Sequence, residues 1–345
     1  MQRRALITGL ESTELTEDER RFLRDARPLG IILFSRNCVS HDQIRRLVTD
    51  AISEIGTAGA LVLIDQEGGR VQRLRPPLGR ALPPAEAYAR RYEAGDCEGA
   101  CAAAEAAARL VARDLLDLGI NTNCTPVLDL PVAGAHAIIG DRAFGTTVEQ
   151  VVHLGRAVAD GFMAAGVLPV IKHIPGHGRA TKDSHHDLPV VDTSWDELSR
   201  TDFAPFRALA HVPAAMTAHV VFSAVDPDAP ASTSPKVIGN VIREEIGYDG
   251  LLMSDDLGMH ALRGGMRDRA EAVIRAGSDV ALHCSGIFAE MEAAATGVPD
   301  LEGDALRRAL RALSVLDNHG EFDTAEAERL LAEVITGHTG RSESV

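Results

Sequence analysis

The stretch LPVIKHIPGHG, residues 168–178, joins a short apolar run to a polar, glycine-rich segment. The run has the length and the branched side chains of a buried strand. Lys172 and His173 close it. Pro175 lacks the backbone N–H that a helix interior needs, and the glycines around it add backbone freedom. The pattern predicts a strand that ends at two polar side chains and continues as a loop.

Seven further apolar runs of the same kind occur along the chain, with longer helix-like stretches between them. These runs are residues 5–8, 30–34, 60–65, 121–127, 214–219, 251–256 and 279–284. Strict alternation of strands and helices predicts a parallel sheet, and eight strands close a (β/α)8 barrel of TIM type. An open, doubly wound sheet is the main alternative, but no Gly-x-Gly-x-x-Gly motif follows the first strand. We expect one catalytic barrel domain over residues 1–337 and a polar tail over residues 338–345.

Polar residues close four of the eight runs. They are Asp65, the pair Lys172 and His173, His219, and the pair Asp255 and Asp256. In a barrel these positions lie at the C-terminal face of the strands, where the loops between strands and helices build the active site. Packing alone does not explain four such positions, so the pattern predicts an enzyme.

The composition excludes several classes of partner. The chain has 345 residues and a formal net charge of -15, which repels nucleic acid and anionic membrane surfaces. No apolar stretch reaches the length of a membrane span or of a signal peptide. The five cysteines are odd in number and scattered, which is typical of reduced structural thiols. We expect a cytoplasmic monomer that binds neither nucleic acid nor membrane.

Residues 172–187 carry four of the 13 histidines, so they could form a metal site or a proton shuttle. His173 and His177 have the spacing of two ligands on one helix face, but the proline and glycines between them exclude a helix. Asp183 stands two residues before His185. A carboxylate bonded to one ring nitrogen fixes the tautomer and raises the basicity of the other nitrogen. This favours general acid/base chemistry, without a metal or another cofactor.

Four ordered motifs resemble glycoside hydrolase family 3, and more narrowly its bacterial β-N-acetylglucosaminidases of peptidoglycan recycling. They are DQEGGRVQR (65–73), IGDRAF (139–144), KHIPGHG with DSHH (172–186) and MSDDL (253–257). The resemblance covers most of a barrel and implies a single-barrel, retaining, exo-acting hydrolase.

The resemblance also implies a role for each residue that matches the motifs. Asp255 would be the nucleophile, and His185 with Asp183 would be the acid/base pair. The sugar-binding residues would be Asp65, Arg73, Arg142, Lys172 and His173. We expect Asp256 to be structural, since strand alternation puts it on the opposite face from Asp255. Glu67 is the alternative acid.

Aromatic residues make up only 4% of the chain, with a single tryptophan. Sugar-binding grooves for long polysaccharides use aromatic faces, so this scarcity favours a small polar pocket for one terminal sugar. Short muropeptides built on N-acetylglucosamine and anhydro-N-acetylmuramic acid would suit such a pocket. A phosphorylase is an alternative, because a neutral histidine does not repel phosphate. A metal-dependent amidohydrolase would need further ligands, and a non-catalytic sugar-binding barrel would not need the acid, partner and nucleophile together.

Overall fold

The computed structural model describes residues 3–56, 59–132, 134, 138–180 and 188–342. Eight parallel strands form a closed barrel, in which each strand pairs with its neighbours in chain order and the first pairs with the last. The strands are β1 (Arg4–Gly9), β2 (Pro28–Leu33), β3 (Leu61–Ile64), β4 (Thr122–Asn123), β5 (Leu168–Ile174), β6 (Ala214–Thr217), β7 (Leu251–Asp256) and β8 (Val280–His283). The predicted (β/α)8 barrel is confirmed.

Helices surround the barrel. The α-helices are α1 (Glu17–Ala26), α2 (His41–Ile55), α3 (Ala85–Glu93), α4 (Cys97–Leu116), α5 (Val148–Ala164), α6 (Trp195–Arg200), α7 (Phe203–Ala208), α8 (Met266–Ala276), α9 (Phe288–Thr296), α10 (Gly303–Leu313) and α11 (Thr324–Ser342). The segment Val237–Glu245 is a π-helix. Local sequence sets the ends: a capping box of Thr16 and Glu19 begins α1, and Gly277, at φ 113°, ends α8.

The strands are buried on both faces, between the barrel interior and the helices. Every residue of Pro28–Leu33 and of Leu168–Ile174 is buried. This burial explains why the strands read as continuous apolar runs in the sequence rather than as alternating ones. Polar side chains therefore concentrate where the strands end.

The last helix, α11, packs against α3 and α4 on the outside of the barrel. It runs through residue 337, where we expect the barrel domain to end, and the expected polar tail is helical as far as Ser342. Within the described part of the chain, no helix has both the length and the apolar character needed to cross a membrane.

Two local features at the C-terminal face position the site. β4 is only two residues long, and the chain beyond it stays beside β5, where the Leu128 N–H donates to the Lys172 carbonyl at 2.7 Å. The pairing register shifts near the ends of β5 and β7. A register shift of this kind changes the direction of the side chains at a strand end.

Candidate active site

A cavity of about 350 Å³ opens at the C-terminal face of the barrel. Its size falls in the range of small-molecule sites. Six of the eight predicted site residues line it, and they are Asp65, Arg73, Arg142, Lys172, His173 and Asp255. The other two, Asp183 and His185, lie outside the described residues.

A short antiparallel hairpin of Gln66–Gly68 and Val71–Gln72 follows β3, and Asp65 and Arg73 flank it. The Asn123 side chain accepts from the backbone N–H of Gln66 at 2.9 Å and donates to its carbonyl at 3.0 Å. The Gln66 side-chain oxygen accepts the backbone N–H groups of Arg73 and Leu74, both at 3.0 Å. These bonds fix the hairpin on β4, so the side chains that it carries have a defined position at the cavity wall.

A network of five charged side chains, with Lys172 the most deeply buried, forms part of that wall. The Lys172 ammonium lies 2.9 Å from an Asp65 oxygen and 2.7 Å from a Glu67 oxygen. Arg73 donates to the second Asp65 oxygen at 2.7 Å. Arg142 binds both Glu67 oxygens, each at 2.8 Å. Three cations and two anions thus share one wall, which leaves one positive charge in excess.

Burial and the neighbouring charges shift the pKa values of these side chains in opposite directions. Burial raises the pKa of Asp65 and of Glu67, but the neighbouring cations outweigh it and hold both pKa values below their usual range. Burial lowers the pKa of Lys172, and the two carboxylates more than offset this and raise it. All three groups are therefore ionised near neutral pH. Arg142 and Lys172 stabilise the ionised form of Glu67, which does not favour it as the alternative acid.

His173 is hydrogen-bonded to Asp129, a carboxylate that was not predicted from the sequence. Asp129, fully buried, accepts from His173 Nδ1 at 2.7 Å and from the backbone N–H groups of His173 and His177 at 3.1 and 2.7 Å. Burial raises the pKa of Asp129, but His173 outweighs it and the pKa is lowered. A lone acid in the apolar segment PVLDLPV (126–132) is the signal that could have revealed it, because a buried acid needs partners.

The two acids at the end of β7 have different surroundings. Both Asp255 and Asp256 line the cavity. The register of β7 shifts between Met253 and Asp256, so strict alternation does not hold at its end. Asp256 accepts from the backbone N–H groups of Gly258 and Cys284, both at 3.0 Å, so its carboxylate ties β7 to the end of β8. Asp255 accepts from the Asp256 backbone N–H at 2.8 Å.

Two buried imidazoles lie within electrostatic range of Asp255. Burial lowers the pKa of His177 to about 4 and also lowers the pKa of His219, while the Asp255 charge opposes both shifts. Both rings are therefore neutral near pH 7. His219 lies between the Ser232 hydroxyl, at 2.6 Å, and the Asp256 carbonyl, at 3.0 Å, and so supports the end of β7.

The chain on either side of residues 181–187 is fixed to the barrel. Arg179 donates to Asp202 at 2.7 Å, and its guanidinium lies 2.9 Å from Glu197. On the other side, Val190–Val191 pairs in parallel with Val221–Phe222. The described residues contain no group of three or more His, Cys, Asp or Glu side chains arranged to hold a metal ion.

Comparison with known proteins identifies the family. The profile described as "Glycosyl hydrolase family 3 N terminal domain" matches residues 5–311. The chain belongs to glycosyl hydrolase family 3. A beta-hexosaminidase from Alkalilimnicola ehrlichii is 44% identical over 284 residues, which are 81% of this chain and 80% of that protein. A beta-hexosaminidase from Bordetella pertussis is 34% identical over 345 residues, or 96% of each chain.

Solved structures agree with the family assignment. NagZ from Neisseria gonorrhoeae, in complex with N-trifluoroacetyl-D-glucosamine, matches with a TM-score of 0.86 at 31% identity. The match covers 97% of this chain and 98% of that one. The predicted enzyme class, a glycoside hydrolase of the β-hexosaminidase type, is confirmed.

The ion-pair network predicts that Glu67→Gln lowers the free energy of unfolding, by an amount that depends on pH. A neutral amide leaves Arg142 and Lys172 buried beside fewer negative charges, so the free energy of unfolding at pH 7 should fall by about 2–4 kcal/mol. Because the pKa of Glu67 is lowered by folding, its contribution is complete above the unfolded pKa of about 4.3 and declines below it. The difference between wild type and variant should narrow from about pH 5 to about pH 3 in urea titrations.

Glu98→Gln, at an exposed position of α4, is the matched control and should change the unfolding free energy by less than about 0.5 kcal/mol. If the difference in unfolding free energy between wild type and Glu67→Gln stays constant down to pH 3, Glu67 is not an ionised partner of Lys172 and Arg142.

Proposed function

We propose that this enzyme is a retaining exo-β-N-acetylglucosaminidase that removes the terminal, non-reducing N-acetylglucosamine from short peptidoglycan fragments. The observation that carries the proposal is that six residues of the family motifs converge on one cavity of about 350 Å³. The muropeptide built on N-acetylglucosamine and anhydro-N-acetylmuramic acid is the fragment that we favour. The complex of the similar NagZ with N-trifluoroacetyl-D-glucosamine supports an amino sugar as the ligand.

The charged wall is suited to bind one sugar through its hydroxyl groups. Asp65 is an anion that can accept charge-assisted hydrogen bonds from hydroxyls, Lys172 and Arg73 are donors fixed beside it, and Arg142 is a donor fixed beside Glu67. Because the ion pairs hold these groups in place before a substrate arrives, little ordering is needed on binding. The aglycone would extend through the mouth of the cavity.

The mechanism that we propose has two steps, and Asp255 and His185 take part in both. The Asp255 carboxylate attacks the anomeric carbon while His185 protonates the leaving oxygen, and a covalent glycosyl-enzyme forms. His185 then removes a proton from water, which attacks the anomeric carbon and releases Asp255. Asp183 would hold the His185 ring in the required tautomer. His177 and His219 are neutral neighbours of Asp255, so neither places a fixed positive charge beside the proposed nucleophile.

We infer that the enzyme acts as a cytoplasmic monomer on soluble fragments, without a cofactor and without a nucleic-acid or membrane partner. The acidic net charge of -15 supports the last part of this inference, since it repels polyanions.

The proposal predicts the products of one reaction. The purified enzyme is incubated in EDTA with the N-acetylglucosaminyl-anhydromuramoyl tripeptide, with and without phosphate, and the products are followed by mass spectrometry and proton NMR. Free N-acetylglucosamine should appear first as the β-anomer, because two displacements retain the configuration. The rate should be unchanged by EDTA and by phosphate.

Each other outcome identifies a different mechanism. The α-anomer as first product would exclude a retaining mechanism. N-acetylglucosamine 1-phosphate would indicate a phosphorylase. Activity abolished by EDTA and restored by zinc would make the histidines metal ligands.

The acid/base assignment predicts an altered pH–rate profile for His185→Gln. If His185 supplies the proton, its loss should flatten one limb of the kcat/KM profile near neutrality and lower the rate by about 10²–10⁴-fold. An acidic phenol leaves with little protonation of its oxygen. Aryl glycosides of such phenols should therefore lose less activity in His185→Gln than alkyl glycosides do. His186→Gln, one residue away, is the control. An unchanged profile in His185→Gln would remove this residue from the role.

A further inference from the structure

The segment after β4 brings a buried carboxylate beneath His173. The Lys172 N–H donates to the Pro126 carbonyl at 3.1 Å, and the Leu128 N–H donates to the Lys172 carbonyl at 2.7 Å. These two bonds fix the segment beside the end of β5. Asp129 follows directly and therefore has a fixed position relative to His173.

The two oxygens of Asp129 have separate partners. Oδ1 accepts two backbone N–H groups, those of His173 at 3.1 Å and His177 at 2.7 Å. Oδ2 accepts from the ring atom Nδ1 of His173 at 2.7 Å. One oxygen therefore holds the backbone of the turn after β5, and the other holds an imidazole.

The contact with Oδ2 determines the tautomer of His173. An ionised carboxylate can only accept a hydrogen bond, so Nδ1 must carry the ring proton. Nε2 then has a lone pair when the ring is neutral. His173 lines the cavity, which makes Nε2 the ring atom available to a bound hydroxyl group.

We propose that Asp129 is a positioning residue for sugar recognition, which fixes His173 as its Nδ1–H tautomer so that Nε2 accepts a hydrogen bond from a hydroxyl of the bound amino sugar. The identity of the sugar rests on the proposed function, whereas the tautomer does not. In the simpler alternative, Asp129 only anchors the two backbone N–H groups and contributes stability. The two roles can be separated because they use different oxygens.

Asp129→Asn tests the distinction. The amide oxygen can still accept both backbone N–H groups, but the amide NH₂ faces Nδ1 and can only donate. The ring proton should therefore move to Nε2, which converts the acceptor in the cavity into a donor. With ¹⁵N-labelled histidine, NMR should find Nδ1–H in the wild type and Nε2–H in the variant. For an aryl N-acetyl-β-D-glucosaminide, kcat/KM should fall by about 10–100-fold.

Two further variants control for stability. Asp129→Ala removes both oxygens, so it should lower the melting temperature more than Asp129→Asn does. Asp226→Asn alters another buried acid, which accepts from the Ser234 hydroxyl at 2.6 Å and does not line the cavity. It should reduce stability while the His173 tautomer and kcat/KM stay unchanged.

Either of two results would overturn the inference. One is a wild-type His173 that carries a proton on Nε2, either alone or together with one on Nδ1. The other is an Asp129→Asn variant in which the proton has moved to Nε2 but kcat/KM stays within about twofold of the wild type. A wild type without activity on the glucosaminide would count against the proposed function, and the NMR result would still decide whether Asp129 sets the tautomer.

Discussion

The site depends on one buried ammonium group held between two carboxylates. Lys172 is 3% exposed and contacts both Asp65 and Glu67. A single buried charge would be costly, and the network is tolerated because each charge has partners in good geometry. The same ion pairs hold the polar groups of the cavity wall in place. Loss of one partner would therefore affect stability and sugar binding together.

This network requires neighbouring parallel strands. Lys172 lies near the end of β5 and Asp65 follows β3, so the two residues meet because β3, β4 and β5 are adjacent and parallel. Parallel strands bring their C-terminal ends to one face, where polar side chains need not disrupt the apolar core. Asp129 adds a second contact of the same kind. It accepts a hydrogen bond from His173, while the neighbouring Lys172 contacts the carboxylates of Asp65 and Glu67.

The sequence was sufficient for the barrel and for most of the charged residues that line the cavity. Eight apolar runs predicted the eight strands, and polar residues such as Asp65 and Lys172 were found because they follow those runs. The partners of these residues could not be predicted, because the contact of Lys172 with Asp65 joins positions 107 residues apart. Asp129 was missed because it stands inside an apolar segment, and the register shift in β7 leaves no mark in the pattern of apolar residues.

Asp255, at the wall of this cavity, is the proposed nucleophile and would form a covalent bond with the sugar. The most direct measurement is to trap the intermediate with a 5-fluoro-N-acetylglucosaminyl fluoride, which slows both steps, and to locate the label by peptide mass spectrometry. The account predicts one label per chain, on Asp255, with turnover that resumes as the label is released. A label on Asp256 or on Glu67, or stoichiometric inactivation without any covalent label, would contradict it.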